Sequence, residues 1–266
     1  MVELDALRGR LRELDRVIVA FSGGADSAFL AWVANDTLGS ERVTCATAVS
    51  PSLAGDEHDD CRALADEWGL TWIEVNTDEM ATAAYQSNDA DRCYWCKDAL
   101  MTALGPMARQ LDASVVLGVN VDDLGDHRPG QRAAAERGAA FPLVDAGFTK
   151  AAVRRVSKEL GLRTWDKPAA ACLASRVPYG TTVTVSVLSR IERGEHALRA
   201  LGFRDLRVRH YGDTARIEVP LTDLEALLAA RAQVVDALRS VGYRYVTLDL
   251  EGLRSGNLNQ ALEQPG

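Results

Sequence analysis

Val17-Ile18-Val19-Ala20-Phe21-Ser22-Gly23-Gly24-Ala25-Asp26-Ser27 is the stretch whose reading decides the fold. Val17 to Phe21 is a short apolar run, β-branched at three positions, as expected of a central parallel strand covered on both faces. Gly23 and Gly24 let the backbone turn tightly and approach a ligand closely. From Ser27 onward the sequence AFLAWVAN is apolar with helical spacing. The first N–H groups of such a helix have no intrahelical acceptor, and the helix dipole favours an anion beside them. Ser22 and Ser27 add hydroxyl donors, so the turn is built to hold phosphate.

The turn is not a Walker A loop, which requires Lys before Ser/Thr; Asp26 stands in that place. A carboxylate beside phosphates makes chemical sense with Mg²⁺ between them. SGGADS resembles the PP-loop of ATP pyrophosphatases, which split ATP into AMP and pyrophosphate. That resemblance implies adenylation of an oxygen, followed by displacement of AMP by nitrogen or sulfur.

A chain of 266 residues has room for one large domain or two modest ones. Apolar content of 47% and charged content of 26% are ordinary for a soluble globular protein. MVELDALRGRLRELD is a charged amphipathic pattern rather than a signal peptide. No apolar run approaches the ~20 residues that span a bilayer, so the expected location is cytoplasmic, away from membranes. The net charge of −8 is uneven: residues 1–150 hold 13 Lys/Arg against 25 Asp/Glu (−12), and residues 151–266 hold 17 against 13 (+4). The split suggests two domains, the second partly suited to anionic ligands. An acidic phosphate-binding half argues against nucleic acid as the main partner.

Alternation of short apolar runs with helical patterns predicts an α/β fold, a parallel sheet with helices on both faces. A helix at about 3–14 leads into the first strand. Arg42 to Ser50 reads as a second strand, whose end offers Val49 and Ser50 to an adenine base. A helix over Asp56 to Gly69 and a strand over Leu70 to Asn76 follow; 78–90 is polar and irregular. Arg92 to Met107 begins RCYWCK and continues helical. Ser114 to Asn120 is a further buried strand. It opens into Gly118-Val119-Asn120-Val121-Asp122-Asp123-Leu124-Gly125-Asp126-His127-Arg128-Pro129-Gly130 at the sheet's carboxyl edge. Asp122, Asp123 and Asp126 are candidate Mg²⁺ ligands there, and Arg128 a phosphate partner. Ala140 to Asp145 runs toward a helix over Lys150 to Leu160.

Trp165-Asp166-Lys167-Pro168-Ala169-Ala170-Ala171-Cys172-Leu173-Ala174-Ser175-Arg176-Val177-Pro178-Tyr179-Gly180 is irregular, with two prolines and a closing glycine. Thr181 onward changes character. A strand over Thr182 to Val185, a helix over Leu188 to Leu201, strands over Leu206 to His210 and Ala215 to Val219, a helix over Leu221 to Val241 and a strand over Tyr245 to Leu250 predict βαββαβ. That order suggests a smaller ferredoxin-like α+β domain. The expected division is 1–180 for the PP-loop domain and 181–266 for a domain serving substrate binding and oligomerisation. Residues from about 254 read as a tail.

The five cysteines are Cys45, Cys61, Cys93, Cys96 and Cys172; an odd count gives no disulfide framework. Cys45 and Cys61 read as structural. Cys93-Tyr94-Trp95-Cys96 is a CxxC, which alone fits a redox pair, half a zinc site or half a cluster site. Zinc would need two further ligands, and only Cys172 is a plausible third. Three thiolates suit a 4Fe-4S cluster with one iron left open; two reduced thiols without metal are the plain alternative.

Together the PP-loop, GVNVDDLGDHRPG, CYWCK and KPAAACLASRVPYGT resemble the ATP-dependent sulfur transferases that build the nickel-pincer nucleotide cofactor of lactate racemase. The resemblance spans nearly the whole chain. It implies adenylation of a carboxylate of pyridinium-3,5-biscarboxylic acid mononucleotide, displacement of AMP by sulfur, and repetition on the second carboxylate. Two forms of the family are known. In one, the cysteine matching Cys172 surrenders its sulfur and becomes dehydroalanine; in the other, three cysteines hold a 4Fe-4S cluster that carries sulfur. Cys93, Cys96 and Cys172 together look like the cluster form.

The resemblance carries Ser22, Gly23, Gly24, Asp26 and Ser27 onto the PP-loop, and Gly118 and Asp122 onto the second nucleotide loop. It places Ser175 and Arg176 beside the reactive Cys172. It gives Arg207 and Arg209, on one face of a strand, to the substrate phosphate. Glu195 and Glu218 resemble acidic residues that bind a divalent metal; as plain residues they read as solvated charge. Lys167 and Arg176 are expected to lower the thiol pKa of Cys172. The family forms trimers pairing into hexamers. The competing readings are a tRNA thiolase of the same superfamily, an amide-forming enzyme such as NAD synthetase, and a non-catalytic ATP-binding module.

Overall fold

The computed structural model describes residues 2–125, 128–168 and 171–254. In chain order the elements are α1 (Val2–Leu14), β1 (Val17–Ala20), α2 (Ala25–Leu38), β2 (Val43–Val49), α3 (Gly55–Trp68), β3 (Trp72–Asn76), α4 (Ala83–Gln86), α5 (Arg92–Leu111), β4 (Ser114–Leu117), α6 (Pro129–Glu136), α7 (Pro142–Asp145) and α8 (Lys150–Glu159). They are followed by α9 (Val185–Ala200), β5 (Arg207–Tyr211), β6 (Thr214–Glu218), α10 (Leu224–Ala229), α11 (Arg231–Ser240) and β7 (Tyr245–Leu248). Two compact units form. One takes the chain up to Glu79 and again from Asp91 to Pro168; the other takes Met80–Ala90 and the chain from Ala171 onward. No described helix is long and apolar enough to cross a membrane.

In the first unit a four-stranded parallel sheet has the order β3-β2-β1-β4. β1 lies in the middle because its side chains are apolar on both faces. Val17, Val19 and Phe21 enter one core with α1, α2 and α8, while Ile18 and Ala20 enter another with Leu100, Met101 and Leu104 of α5. This is the period-two alternation of a strand, and each fully buried Val or Ile contributes about 1.5–3 kcal/mol. The chain leaves β1 toward β2 on one side and returns as β4 on the other. The carboxyl ends of β1 and β4 therefore flank a topological switch point, where ligands bind in open α/β sheets.

The second unit packs a three-stranded sheet, β5-β6-β7, against α9, α10 and α11. β5 and β6 are antiparallel, β6 and β7 parallel. The α+β character matches the sequence expectation, but the ferredoxin-like order does not form. Thr182 to Val185 is not a strand: Thr184 caps α9, its hydroxyl accepting the Val187 N–H at 3.2 Å. The β-branched run that suggested a strand is spent on a cap and a first helical turn, where Thr is favoured. The single helix expected over Leu221 to Val241 is two, α10 and α11, meeting at Ala230.

Gly118 shows how tightly the switch point closes. A Cβ built there would lie 2.7 Å from the Ser27 nitrogen and 2.9 Å from the Asp26 carbonyl carbon. Backbone cannot yield as a flexible side chain can. Gly118→Ala is expected to push the first turn of α2 off the sheet, costing about 1–3 kcal/mol as an overpacked site. Urea unfolding reads the loss, and calorimetric titration with ATP reads the accompanying loss of affinity.

Candidate active site

The phosphate turn is built by three constraints in the first unit. Gly23 has φ +67°, the left-handed region that glycine enters without strain. Its α-carbon also lies close to the Cys61 thiol, since a Cβ there would stand 2.9 Å from Sγ. Ser22 and Ser27 hold the turn together: their hydroxyls are 3.0 Å apart, and the Ser27 hydroxyl accepts the Ser22 N–H at 3.3 Å and donates to the Gly24 carbonyl at 3.2 Å. No side chain caps α2. The N–H groups of Gly24, Ala25 and Asp26 have no acceptor among the described residues. An uncapped helix start of this kind is an anion site in waiting. Ser22, Gly23, Gly24, Asp26 and Ser27 thus lie together in one turn.

Asp26 is half-buried in the first turn of α2. Burial, reinforced by Asp123, pushes its carboxyl pKa up; Asn120, Lys150 and Arg128 pull the other way. The loop after β4 carries these neighbours. Asp123 is buried and paired with Arg128 and Lys150, each at 3.0 Å. Two carboxylates and two cations thus face the switch point, the donor chemistry suited to a magnesium ion and polyphosphate arriving together. Asp122 is otherwise engaged: its Oδ2 accepts the Lys150 N–H at 2.7 Å at the start of α8. Asp126 lies outside the described residues. Val49 ends β2 half-buried, its carbonyl accepting the Thr77 N–H.

Cys93 and Cys96 occupy the first turn of α5, three residues apart and so on one helix face. Cys93 is exposed and Cys96 half-buried, and neither is in a disulfide. The residue between, Tyr94, is tied to α6: its hydroxyl donates to Glu136 at 2.6 Å and Arg132 lies over its ring. Gly130 lets α6 come this close, since a Cβ there would meet Lys97 Cγ at 2.9 Å and the Cys93 carbonyl at 3.0 Å. Cys45 and Cys61 are buried, and burial raises their thiol pKa values to about 12 and about 11, which suits the structural role read for them.

In the second unit Cys172 is exposed at the head of a 3₁₀ turn, Leu173–Arg176. Arg176 closes that turn. Its guanidinium forms a two-pronged pair with Glu195, at 2.8 and 3.2 Å, and donates to the carbonyls of Ala171 and Cys172 and to the Ser175 hydroxyl. It therefore shapes the cysteine loop. Lys167, the other basic residue expected to act on the thiol, is committed in the first unit to Glu57 and Asp60.

Arg209 pairs in the same two-pronged way with Glu218, at 2.9 Å twice, and donates to the Ser175 carbonyl. Arg199 adds to Glu195 and Arg216 to Glu218. Glu195 and Glu218 are fully buried, so they are neither solvated surface charges nor, in this structure, open carboxylates for a metal: arginines fill them. Arg207 differs. It has no carboxylate at ion-pair distance among the described residues and donates to the Arg254 carbonyl at 2.8 Å. Burial, then Arg209 and Arg176, depress its pKa. Arg216 also reaches Asp249 at 3.6 Å, so Arg207 stands out as the guanidinium of this cluster with no carboxylate at ion-pair distance among the described residues.

Sequence reasoning missed Asn88. It sits at φ +56°, fully buried, and its amide donates to the carbonyls of Val177, Pro178 and Thr181 at 2.7–3.2 Å. It fixes the far end of the cysteine loop from within the segment read as irregular. An Asn between polar residues, able to enter the left-handed region, was the available signal. Within either unit, among the described residues, no set of three or more His, Cys, Asp or Glu side chains is grouped to hold a metal ion.

Two outcomes follow from these charges. Asp26→Asn is expected to raise the melting temperature of the nucleotide-free protein at neutral pH. A carboxyl with a raised folded-state pKa loses stability as pH climbs from its unfolded value through the folded one, and the amide has no such loss; the gain should vanish in acid. Arg176→Met should destabilise by about 3 kcal/mol by taking from the buried Glu195 its two-pronged partner and leaving it the half-buried Arg199, and Arg176→Met with Glu195→Met should recover most of it. Thermal and urea unfolding measure both.

Residues 4–104 match the family model described as NAD synthase, the portion carrying the phosphate turn and the CxxC. The chain is 45% identical over 263 residues to an uncharacterized protein of Synechocystis sp., covering 98% of each. It is 26% identical over 257 residues to an uncharacterized protein of Methanocaldococcus jannaschii, covering 95% of this chain and 98% of that one. Over 253 residues it is 39% identical to the pyridinium-3,5-bisthiocarboxylic acid mononucleotide synthase of Lactiplantibacillus plantarum, covering 95% of this chain and 92% of that one. A likeness of that extent reaches beyond the phosphate turn through the cysteine loop and the arginine cluster: the chain belongs to the pyridinium-3,5-bisthiocarboxylic acid mononucleotide synthase family, a family of PP-loop enzymes.

Proposed function

We propose that this enzyme uses ATP to insert sulfur into pyridinium-3,5-biscarboxylic acid mononucleotide, giving the bisthiocarboxylic acid form by carboxylate adenylation and then sulfur transfer. The observation that carries the reading is one chain holding both an uncapped phosphate turn and an exposed cysteine whose loop is clamped by an arginine cluster. The relative's name supplies the substrate class. A plain amide-forming enzyme would have no use for that cysteine.

The chain's own groups have definable tasks. The amides of Gly24, Ala25 and Asp26, with the Ser22 and Ser27 hydroxyls, hold the ATP phosphates and offset the charge that grows as pyrophosphate departs. Asp26 and Asp123 would hold Mg²⁺, which neutralises phosphate charge as a Lewis acid. Arg128 and Lys150 supply further positive charge. Val49 borders the base. Arg207, supported by Arg209, receives the phosphate of the substrate nucleotide. Arg176 and Ser175 hold the Cys172 loop in an exposed conformation.

The donor set fits a 4Fe-4S cluster in kind. Cys93 and Cys96 share a helix face in the first unit, Cys172 in the second is exposed, and none of the three is in a disulfide. Those three would hold the cluster, which would supply an iron site able to bind inorganic sulfide. The exposed Leu221, Leu228, Tyr245 and Leu250 of the second unit favour assembly with further copies, as trimers or hexamers.

Cys172→Ala should retain substrate-dependent pyrophosphate release and lose thiocarboxylate formation. Anaerobic purification with iron and sulfide quantitation separates the two sulfur sources. About four irons per chain, and repeated turnover with added sulfide, are expected for the cluster. A single turnover, with protein mass falling by one H₂S, would assign the sulfur to Cys172 itself. Undiminished thiocarboxylate formation by Cys172→Ala would overturn the role given to that thiol, and absence of thiocarboxylate in the wild type with every sulfur source would overturn sulfur transfer itself.

A further inference from the structure

Lys167 is the group that the proposed chemistry leaves without a task. Its ammonium has three hydrogens and three acceptors: Asp60 Oδ2 at 2.6 Å, Glu57 Oε2 at 2.9 Å and the Gly23 carbonyl at 3.2 Å. All three lie in the first unit. The side chain is only 17% exposed. Burial lowers its pKa, but Asp60 and Glu57 outweigh burial and raise it. Asp60 is in turn held by Arg163 at 2.7 Å. The ammonium is thus fixed, charged, and has no hydrogen left to offer a ligand.

We infer that Lys167 is a positioning residue for ATP phosphate: it anchors the Gly23 carbonyl, and so keeps the N–H of Gly24 turned to the opposite side, among the free amides at the start of α2. The reason is the geometry of a trans peptide, whose C=O and N–H point in opposite directions. A peptide between two glycines has little to stop it rotating, because neither flanking residue has a Cβ. Rotation would point a carbonyl oxygen at the phosphates, replacing attraction with repulsion. Cys61 beneath Gly23 keeps the turn from sinking, but a thiol does not fix the direction of a carbonyl. A cation hydrogen-bonded to it does, and such charge-assisted bonds are the stronger kind.

This inference rests on the reading of the turn as a phosphate site, and the experiment separates the two. Calorimetric titration with inorganic pyrophosphate and, separately, adenosine is applied to the wild type, to Glu57→Gln/Asp60→Asn, and to Glu57→Gln/Asp60→Asn/Lys167→Met. The triple variant removes the cation without stranding carboxylates. It is expected to lose pyrophosphate affinity by about tenfold, about 1.4 kcal/mol, with adenosine affinity unchanged. The double variant keeps the Lys167–Gly23 bond and should bind pyrophosphate within about twofold of wild type. Wild-type pyrophosphate affinity in the triple variant overturns the inference; so do equal losses in double and triple, or a parallel loss of adenosine. A wild type that binds neither ligand overturns the phosphate site itself. Should the triple variant not fold, the wild type still decides. Its Gly24 amide resonance should move downfield in nitrogen–proton spectra as pyrophosphate is added, and an unmoved resonance refutes the role given to Lys167.

Discussion

Everything in the first unit depends on a close approach of backbone to backbone. The end of β4 lies so near the first turn of α2 that Gly118 has no room for a methyl group. That contact sets the direction in which α2 leaves the sheet, and with it the direction of the unsatisfied amides. Two hydrophobic cores press the sheet from both sides, which makes the arrangement stiff. A stiff array of oriented dipoles needs little reorganisation when charge develops beside it. The polar loops of the site lie at the edge of this apolar frame, where Asp26 and Asp123 can be held together despite their mutual repulsion.

The second unit solves a different problem with different means. Its carboxylates Glu195 and Glu218 are fully buried, so each must be neutralised, and arginines from neighbouring segments do so with planar, two-pronged contacts. Such pairs add little net stability over an apolar core, yet removing one member is costly. Their value is directional. They dictate where Arg176 and Arg209 point, and through those side chains they hold the carbonyls of Ala171, Cys172 and Ser175. Among the described arginines of this cluster, Arg207 is the one with no carboxylate at ion-pair distance; it donates to the Arg254 carbonyl instead.

Much of the first unit was legible in the sequence because its signals are local. The alternation of Val17 to Phe21, the glycine pair and the apolar helix after Ser27 each point the same way, and strand, turn and helix form within a residue or two of expectation. The C-terminal part was harder. Val183, Val185 and Val187 carry strand propensity, but the hydroxyl of Thr184 is worth more as a cap. Glu195 and Glu218 read as surface charge because nothing in their immediate neighbours announces burial; their two-pronged partners, Arg176 and Arg209, stand nineteen and nine residues away. The partners of Lys167 were hidden in the same way. It stands five residues before Cys172 in the chain, whereas its acceptors come from the phosphate turn and from α3.

Asn88 carries a consequence for the chain's architecture as a whole. Because Met80–Ala90 belongs with the second unit, the polypeptide passes from one unit to the other three times. No single break can release either part intact. A fragment ending before Ala171 would keep a strip of eleven residues whose hydrogen-bonding complement had been cut away, and the complementary fragment would lack the amide that ties Val177, Pro178 and Thr181 together. Gene fusion, domain exchange or limited proteolysis would therefore act on this protein as on an indivisible object, even though its contacts resolve into two bodies.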